Sequence, residues 1–166
     1  MRIFGVTGWK NSGKTTLMEG LVSEFCRRGF SVSTLKHAHH NVDIDQPGKD
    51  SYRHRAAGAQ EVLLASGNRW ALMHELRGAQ EPPLAALLAH LSPVDLVLVE
   101  GYKREAHPKI EAAVSRGNRP LLAQKDPHIA AVAAGYAVGQ LTVPVLDIHD
   151  IPAIADFIAR QTGLER

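Results

Sequence analysis

Gly8-Trp9-Lys10-Asn11-Ser12-Gly13-Lys14-Thr15 matches the pattern G-x-x-x-x-G-K-[ST] at every position. The residue types state the chemistry. Gly8 and Gly13 permit backbone angles that a side chain forbids, so successive N–H groups can turn inward around a β-phosphate. A helix that starts near Lys14 adds its positive dipole end at the same point. Lys14 is a flexible cation for the β- and γ-phosphates, and Thr15 offers a hydroxyl to Mg²⁺. Context supports the match, because an apolar strand of residues 3–7 precedes it and an amphipathic helix follows. The pattern points to the phosphates of a nucleoside triphosphate.

Such a site needs an acidic partner at the C-terminal end of a neighbouring strand. Glu100 ends the apolar run Leu96-Val97-Leu98-Val99 and is followed by Gly101, which lets the backbone approach a γ-phosphate. The bland alternative is a solvated charge leaving the strand. Asp95 starts the same strand, at the wrong end. Asp43 and Asp45 are two apart in a polar stretch, so in an extended loop both face one side. They could hold the metal or its waters, or serve as turn formers before Pro47-Gly48. Lys36 and His37 lie where the second strand ends, within reach of a terminal phosphate. His37, His39 and His40 share their loop with no cysteine, which makes a poor structural zinc site. Contacts to phosphate or to a partner suit them better.

The elements that must position these residues follow from periodicity. Leu17, Leu21, Val22 and Phe25 recur at helical spacing over residues 14–28, and Gly29 ends that helix. Residues 31–36 form a second strand. Asp50 or Ser51 caps a short helix through Ala57. Residues 61–65 and 69–75 read as strands of an antiparallel hairpin around Ser66-Gly67-Asn68. Pro82 and Pro83 open a helix running to His90. The run ending at Glu100 is a central parallel strand. Residues 119–124 and 141–146 read as further strands, before a last helix over residues 151–160. This order predicts an α/β, three-layer P-loop NTPase fold, with a mostly parallel sheet and helices on both faces. The hairpin is expected to extend one edge of that sheet.

Bulk properties agree. At 166 residues, with 45% apolar and 22% charged residues, the chain fits one soluble domain, residues 1–166. A net charge of +2 is too small to argue for nucleic acid. Cys26 is the only cysteine, so no intrachain disulfide can form and a reducing compartment is expected. No apolar run approaches the roughly 20 residues that span a bilayer. The first residues read as a strand and not a signal peptide, so a cytoplasmic location is expected.

Three stretches carry a resemblance to a known family. They are the phosphate loop continued through Thr16-Leu17, then Lys36-His37-Ala38-His39-His40-Asn41-Val42-Asp43-Ile44-Asp45-Gln46-Pro47-Gly48-Lys49-Asp50-Ser51, and Leu98-Val99-Glu100-Gly101-Tyr102-Lys103. In these the chain resembles the MobB family, the molybdopterin-guanine dinucleotide biosynthesis adaptor proteins. The resemblance implies a GTP-binding homodimer with weak hydrolysis and sheets extended across the dimer. It also implies a role in assisting the molybdenum cofactor guanylyltransferase that attaches GMP to molybdopterin. Carried onto this chain, nucleotide contacts fall on Gly8 to Thr16 and Gly101. Lys14, Lys36 and Asp45 become the catalytic set, and Thr15, Asp43, Asp45 and Glu100 the Mg²⁺ set. Some relatives carry a second lysine directly after the first loop glycine, where this chain has Trp9; Lys10 is not given that role. For guanine, the nearest match to an N-K-x-D element is Ala123-Gln124-Lys125-Asp126, which keeps only Asp126. An Asp-Pro turn is the alternative reading of that residue. A small-molecule kinase is the competing function, with His37, Asp43 or Asp45 as base and Arg53 and Arg55 as clamp.

Overall fold

A computed structural model describes residues 1–38 and 43–164. In chain order its strands are β1 (Arg2–Thr7), β2 (Val32–Lys36), β3 (Glu61–Ala65), β4 (Trp70–His74), β5 (Leu96–Glu100), β6 (Lys109–Ala113), β7 (Ile129–Ala134) and β8 (Val145–Asp147). The helices are α1 (Lys14–Arg27), α2 (Asp50–Ala56), α3 (Leu84–Leu88) and α4 (Ile151–Thr162). Six strands form one parallel sheet in the order β2-β5-β1-β6-β7-β8. β5 is buried along its whole length, as its continuous apolar run requires of a central parallel strand. The expected α/β class, with a mostly parallel sheet, helices and an antiparallel hairpin, is what the chain forms.

The residues cluster in two compact units. One comprises Met1–His37 and Leu87–Arg166, the other Ala38–Ala86. In the first, α1 and α4 cover one sheet face with Leu17, Leu21, Phe25, Ile154 and Ile158, over Phe4, Val6, Leu98 and Ile110. Helix α1 stops as its glycine predicts. Gly29 (φ 83°) donates to the Cys26 carbonyl and Phe30 to that of Phe25, the paired bonds of a Schellman end. The rings of Phe25 and Phe30 meet edge-on at 6.2 Å and close that end. Helix α4 opens on Asp150, whose carboxylate accepts the Ala153 N–H at 3.0 Å. Arg28 ties α1 to α4 by bonding Glu24 at 2.7 Å and Asp156 at 2.6 Å. No helix among the described residues is long and apolar enough to cross a membrane.

Four expectations are corrected. Residues 119–124 form no strand; Leu122–Gln124 is a 3₁₀ turn. The strands that complete the sheet there are β6 and β7, neither of which is expected from the sequence pattern. Their sequences, KIEAA and IAAVAA, are rich in alanine, a poor strand former, and β6 carries two charges at buried positions. β8 starts only at Val145, directly after Pro144, which cannot donate to a ladder. β3 and β4 pair as expected, Leu63 opposite Leu72, but as a two-stranded sheet of their own and not on an edge of the parallel sheet. The turn sequence fixes how the hairpin strands pair with each other and carries nothing about their outer edges.

The second sheet face holds the polar groups of β6. Lys109 is wholly buried, and its ammonium donates to the carbonyls of Lys103 and Glu105 and to Asp126 at 3.3 Å. Glu111, also wholly buried, accepts the N–H groups of Leu122 and Ala123, each at 2.9 Å. That carboxylate creates the 3₁₀ turn by satisfying its first donors. An unpaired charge at such depth costs several kcal/mol, so these partners are obligatory. His107 lies over Gly5, and both its ring nitrogens are buried without a partner among the described residues. Burial, with the Lys109 ammonium, pushes the His107 pKa from 6.5 down to about 4. The unfolded chain therefore takes up this proton before the folded one, and the stability involved is lost as pH falls from about 6.5 to about 4. In that window the thermal midpoint of the natural chain should fall more steeply than that of His107→Gln. Parallel curves in scanning calorimetry would remove His107 from the acid response.

Candidate functional site

The end of β1 delivers the chain into the 8–15 loop at Gly8 (φ 141°), where a Cβ would lie 2.5 Å from Ser12 Oγ and 2.6 Å from the Ala112 carbonyl. No side chain fits there, and the loop can wind back on itself only because of that. Asn11 (φ 62°) and Gly13 (φ 92°) supply the other left-handed angles. The loop is pinned by Val114 N–H on the Ser12 carbonyl (3.0 Å), Ser12 N–H on the Trp9 carbonyl (3.3 Å) and Trp9 Nε1–H on the Pro120 carbonyl (2.9 Å). Lys14, Thr15 and Thr16 form the first turn of α1, where no side chain caps the helix. Backbone donors and the dipole end are therefore aimed at the loop's concavity. Ser12 Oγ is buried with no partner among the described residues, while Lys10, Asn11, Thr15 and Thr16 are exposed.

Strand pairing brings the other candidates to this edge. Lys36 stands opposite Glu100 across β2 and β5, and Val6 opposite Glu100 across β1 and β5. The Lys36 ammonium is 3.4 Å from the Glu100 carboxylate, which is buried. Lys14 donates to the Trp9 carbonyl at 2.6 Å. Burial lowers the Lys14 pKa; Glu100 opposes that shift, and Lys103 and Lys36 add to it. Gly101 (φ 94°) leaves room for His37, whose Cβ is 3.1 Å from where a Gly101 Cβ would stand. The His37 ring lies 4.6 Å from that of Tyr102. Lys14, Lys36, Glu100, Gly101 and the loop thus share one end of the sheet.

Two cations at this end went unassigned in the sequence. Lys103 Nζ sits 4.6 Å from the centre of the Trp9 ring, and the Arg119 guanidinium 4.7 Å from it. The signal for Lys103 was its place two residues after Gly101. Arg119 had none, because an irregular segment carries it to Trp9.

Asp43 and Asp45 belong to the other unit and do face the same side, toward Arg55. Its guanidinium bonds Asp43 at 2.8 Å, Asp45 at 3.2 Å and Glu75 at 2.7 Å. Arg55 holds the Asp43 carboxyl below the usual carboxylate range. Ser51 Oγ donates to Asp45 at 2.9 Å. Arg55 is thus committed within its own unit and is no open phosphate clamp; Arg53 pairs with Asp50 at 3.7 Å. Among the described residues no three His, Cys, Asp or Glu side chains gather as a metal-binding group. His39 and His40 lie outside the described residues. Asp126 does not follow a strand: it comes between the 3₁₀ turn and β7, pairs with Lys109, and accepts the His128 N–H at 2.9 Å.

Glu100 is the carboxylate that raises the Lys14 pKa, so Glu100→Gln should lower it further. An NMR titration of the Lys14 side chain checks this, and an unmoved midpoint would separate the two groups.

The chain is similar to known proteins in sequence and in fold. Residues 3–135 match the family model for molybdopterin guanine dinucleotide synthesis protein B, MobB. The molybdopterin-guanine dinucleotide biosynthesis adapter protein of Haemophilus influenzae is 42% identical over 94% of this chain and 86% of its own length. The adapter protein of Escherichia coli is 41% identical over 94% of this chain and 90% of its own. The crystal structure of a MobB homolog from Bacillus stearothermophilus superposes with a TM-score of 0.74 at 30% identity, covering 99% of this chain and 100% of that one. Bacillus subtilis MobB shares the fold, with a TM-score of 0.77 at 24% identity over 99% of this chain and 100% of its own. On the match to residues 3–135 and the identity to curated relatives over nearly the whole chain, this protein belongs to the MobB family.

Proposed function

We propose that the chain is a GTP-binding adaptor in molybdopterin-guanine dinucleotide biosynthesis, with weak hydrolysis of its own, that assists the guanylyltransferase attaching GMP to molybdopterin. The observation that carries the reading is the 8–15 loop, with Lys14 at the start of α1 and Lys36 and Glu100 brought to the same edge by adjacent parallel strands. The residues fit a Mg²⁺-bound triphosphate. Gly8 forms a cradle that a Cβ would fill, and the buried Ser12 hydroxyl awaits an acceptor or donor. Lys14 would exchange the Trp9 carbonyl for phosphate oxygens, and Lys36 would neutralise the terminal phosphate. Thr15 and Glu100 would hold the metal, which supplies charge neutralisation between the phosphates. Asp43 and Asp45 are paired with Arg55 within their own unit and are left out of the proposed metal set.

The adaptor role rests on the family and on the similarity to the adapter proteins of Haemophilus influenzae and Escherichia coli. The kinase alternative loses its clamp, because Arg55 is already neutralised by three carboxylates. Lys14→Ala should weaken GTP binding by at least about 100-fold, since a charge-assisted contact to phosphate is lost at a desolvated site. Unchanged affinity by calorimetry would refute the site. The natural chain should also co-purify with the molybdenum cofactor guanylyltransferase and turn over GTP slowly alone; rapid phosphorylation of a small acceptor would favour the kinase.

A further inference from the structure

Open α/β sheets bind ligands outside the carboxyl ends of their strands, and Asp126 lies where β7 begins. At the carboxyl ends of β7 and β8 there is instead a cavity of about 380 Å³, lined by Ala134, Gly135, Tyr136, Leu146, Asp147 and His149. That volume is in the range of small-molecule sites. Two contacts tie the cavity to the 8–15 loop. Val114 donates its N–H to the Ser12 carbonyl, and its own carbonyl presses on Gly135 so closely that no Cβ fits there. Ile148, held by its N–H on the Ala134 carbonyl at 3.0 Å, brings Cδ1 to 3.2 Å from where a Gly13 Cβ would stand. β7 and β8 are two and three strands from β1, which at the usual spacing is roughly 10–14 Å along the sheet. An extended nucleoside triphosphate covers that span.

We propose that this cavity receives the guanine base of the nucleotide, with Asp147 as the residue that selects it; the inference rests on the nucleotide reading above. Asp147 is exposed, and its Oδ1 accepts the His149 N–H at 2.9 Å, which orients the carboxylate and leaves both oxygens able to accept more bonds. Guanine presents N1–H and N2–H₂ side by side, two donors for two carboxylate oxygens. Adenine presents a lone pair at N1, which sets acceptor against acceptor and leaves Asp147 unpaired. Tyr136 and Leu146 provide apolar surface for the ring.

The test is calorimetry of the full chain and of Asp147→Asn with GTP, xanthosine triphosphate and inorganic tripolyphosphate. In the variant GTP should bind about 10–100-fold more weakly, the loss of charge-assisted hydrogen bonds. Xanthosine triphosphate should become the preferred nucleotide, because the carboxamide can accept from N1–H and donate to the xanthine O2. Tripolyphosphate should bind both proteins equally. GTP affinity unchanged while tripolyphosphate still binds would overturn the base pocket and leave the phosphate site standing. Equal weakening of GTP and tripolyphosphate would also overturn it. Failure of the natural chain to bind either ligand would instead remove the nucleotide reading itself.

Discussion

Parallel pairing of β1 with β5, in the register that sets Val6 opposite Glu100, is the constraint from which the rest of the site follows. The chain leaves β1 into the glycine loop two residues after that register point. β2 then adds to the far side of β5 with Lys36 opposite the same glutamate. Because parallel strands end at one edge, three segments far apart in sequence deliver a backbone cradle, a cation and a carboxylate to one place. A slip of one residue would turn Glu100 and Lys36 to the other face, away from α1. The buried apolar run of β5 makes such a slip costly.

Charge at this edge is held in tension. Lys36 and Lys103 act on Lys14, with Glu100 as the opposing charge, and Lys14 is also partly desolvated. A nearby anion would stabilise such a cluster. The contrast with the second face of the sheet is instructive. There Lys109 and Glu111 are buried deeper, yet each is satisfied within the chain by carbonyls, N–H groups and Asp126. Those groups hold the 3₁₀ turn and the segment before β6 in place. The first set leaves bonding capacity for a ligand and the second does not.

The unit of residues 38–86 is organised by a different interaction. Arg55 gathers Asp43, Asp45 and Glu75, and so joins the polar loop, α2 and the residue after β4. The hairpin of the same unit leaves Leu63, Leu64, Trp70 and Leu72 exposed. The family match over residues 3–135 runs through the whole of this unit.

What could be read from the sequence is what depends on local chemistry. The loop pattern names its own geometry, because Gly8 and Gly13 are the residues that positive φ requires. The run ending at Glu100 names a central strand, because only burial on both faces tolerates it. The glycine after α1 names a helix end. Tertiary structure decided the rest. β6 and β7 are strands despite their alanines and charges, because neighbours on both sides and internal partners for Lys109 and Glu111 outweigh weak propensity. Asp43 and Asp45 face one way, as their spacing says, but only the fold shows that they face Arg55. Asp126 sits before a strand and Asp147 is the last residue of one, a difference invisible without the strand boundaries. Spacing along the chain fixes which groups can act; the sheet, through register and burial, fixes which of them meet.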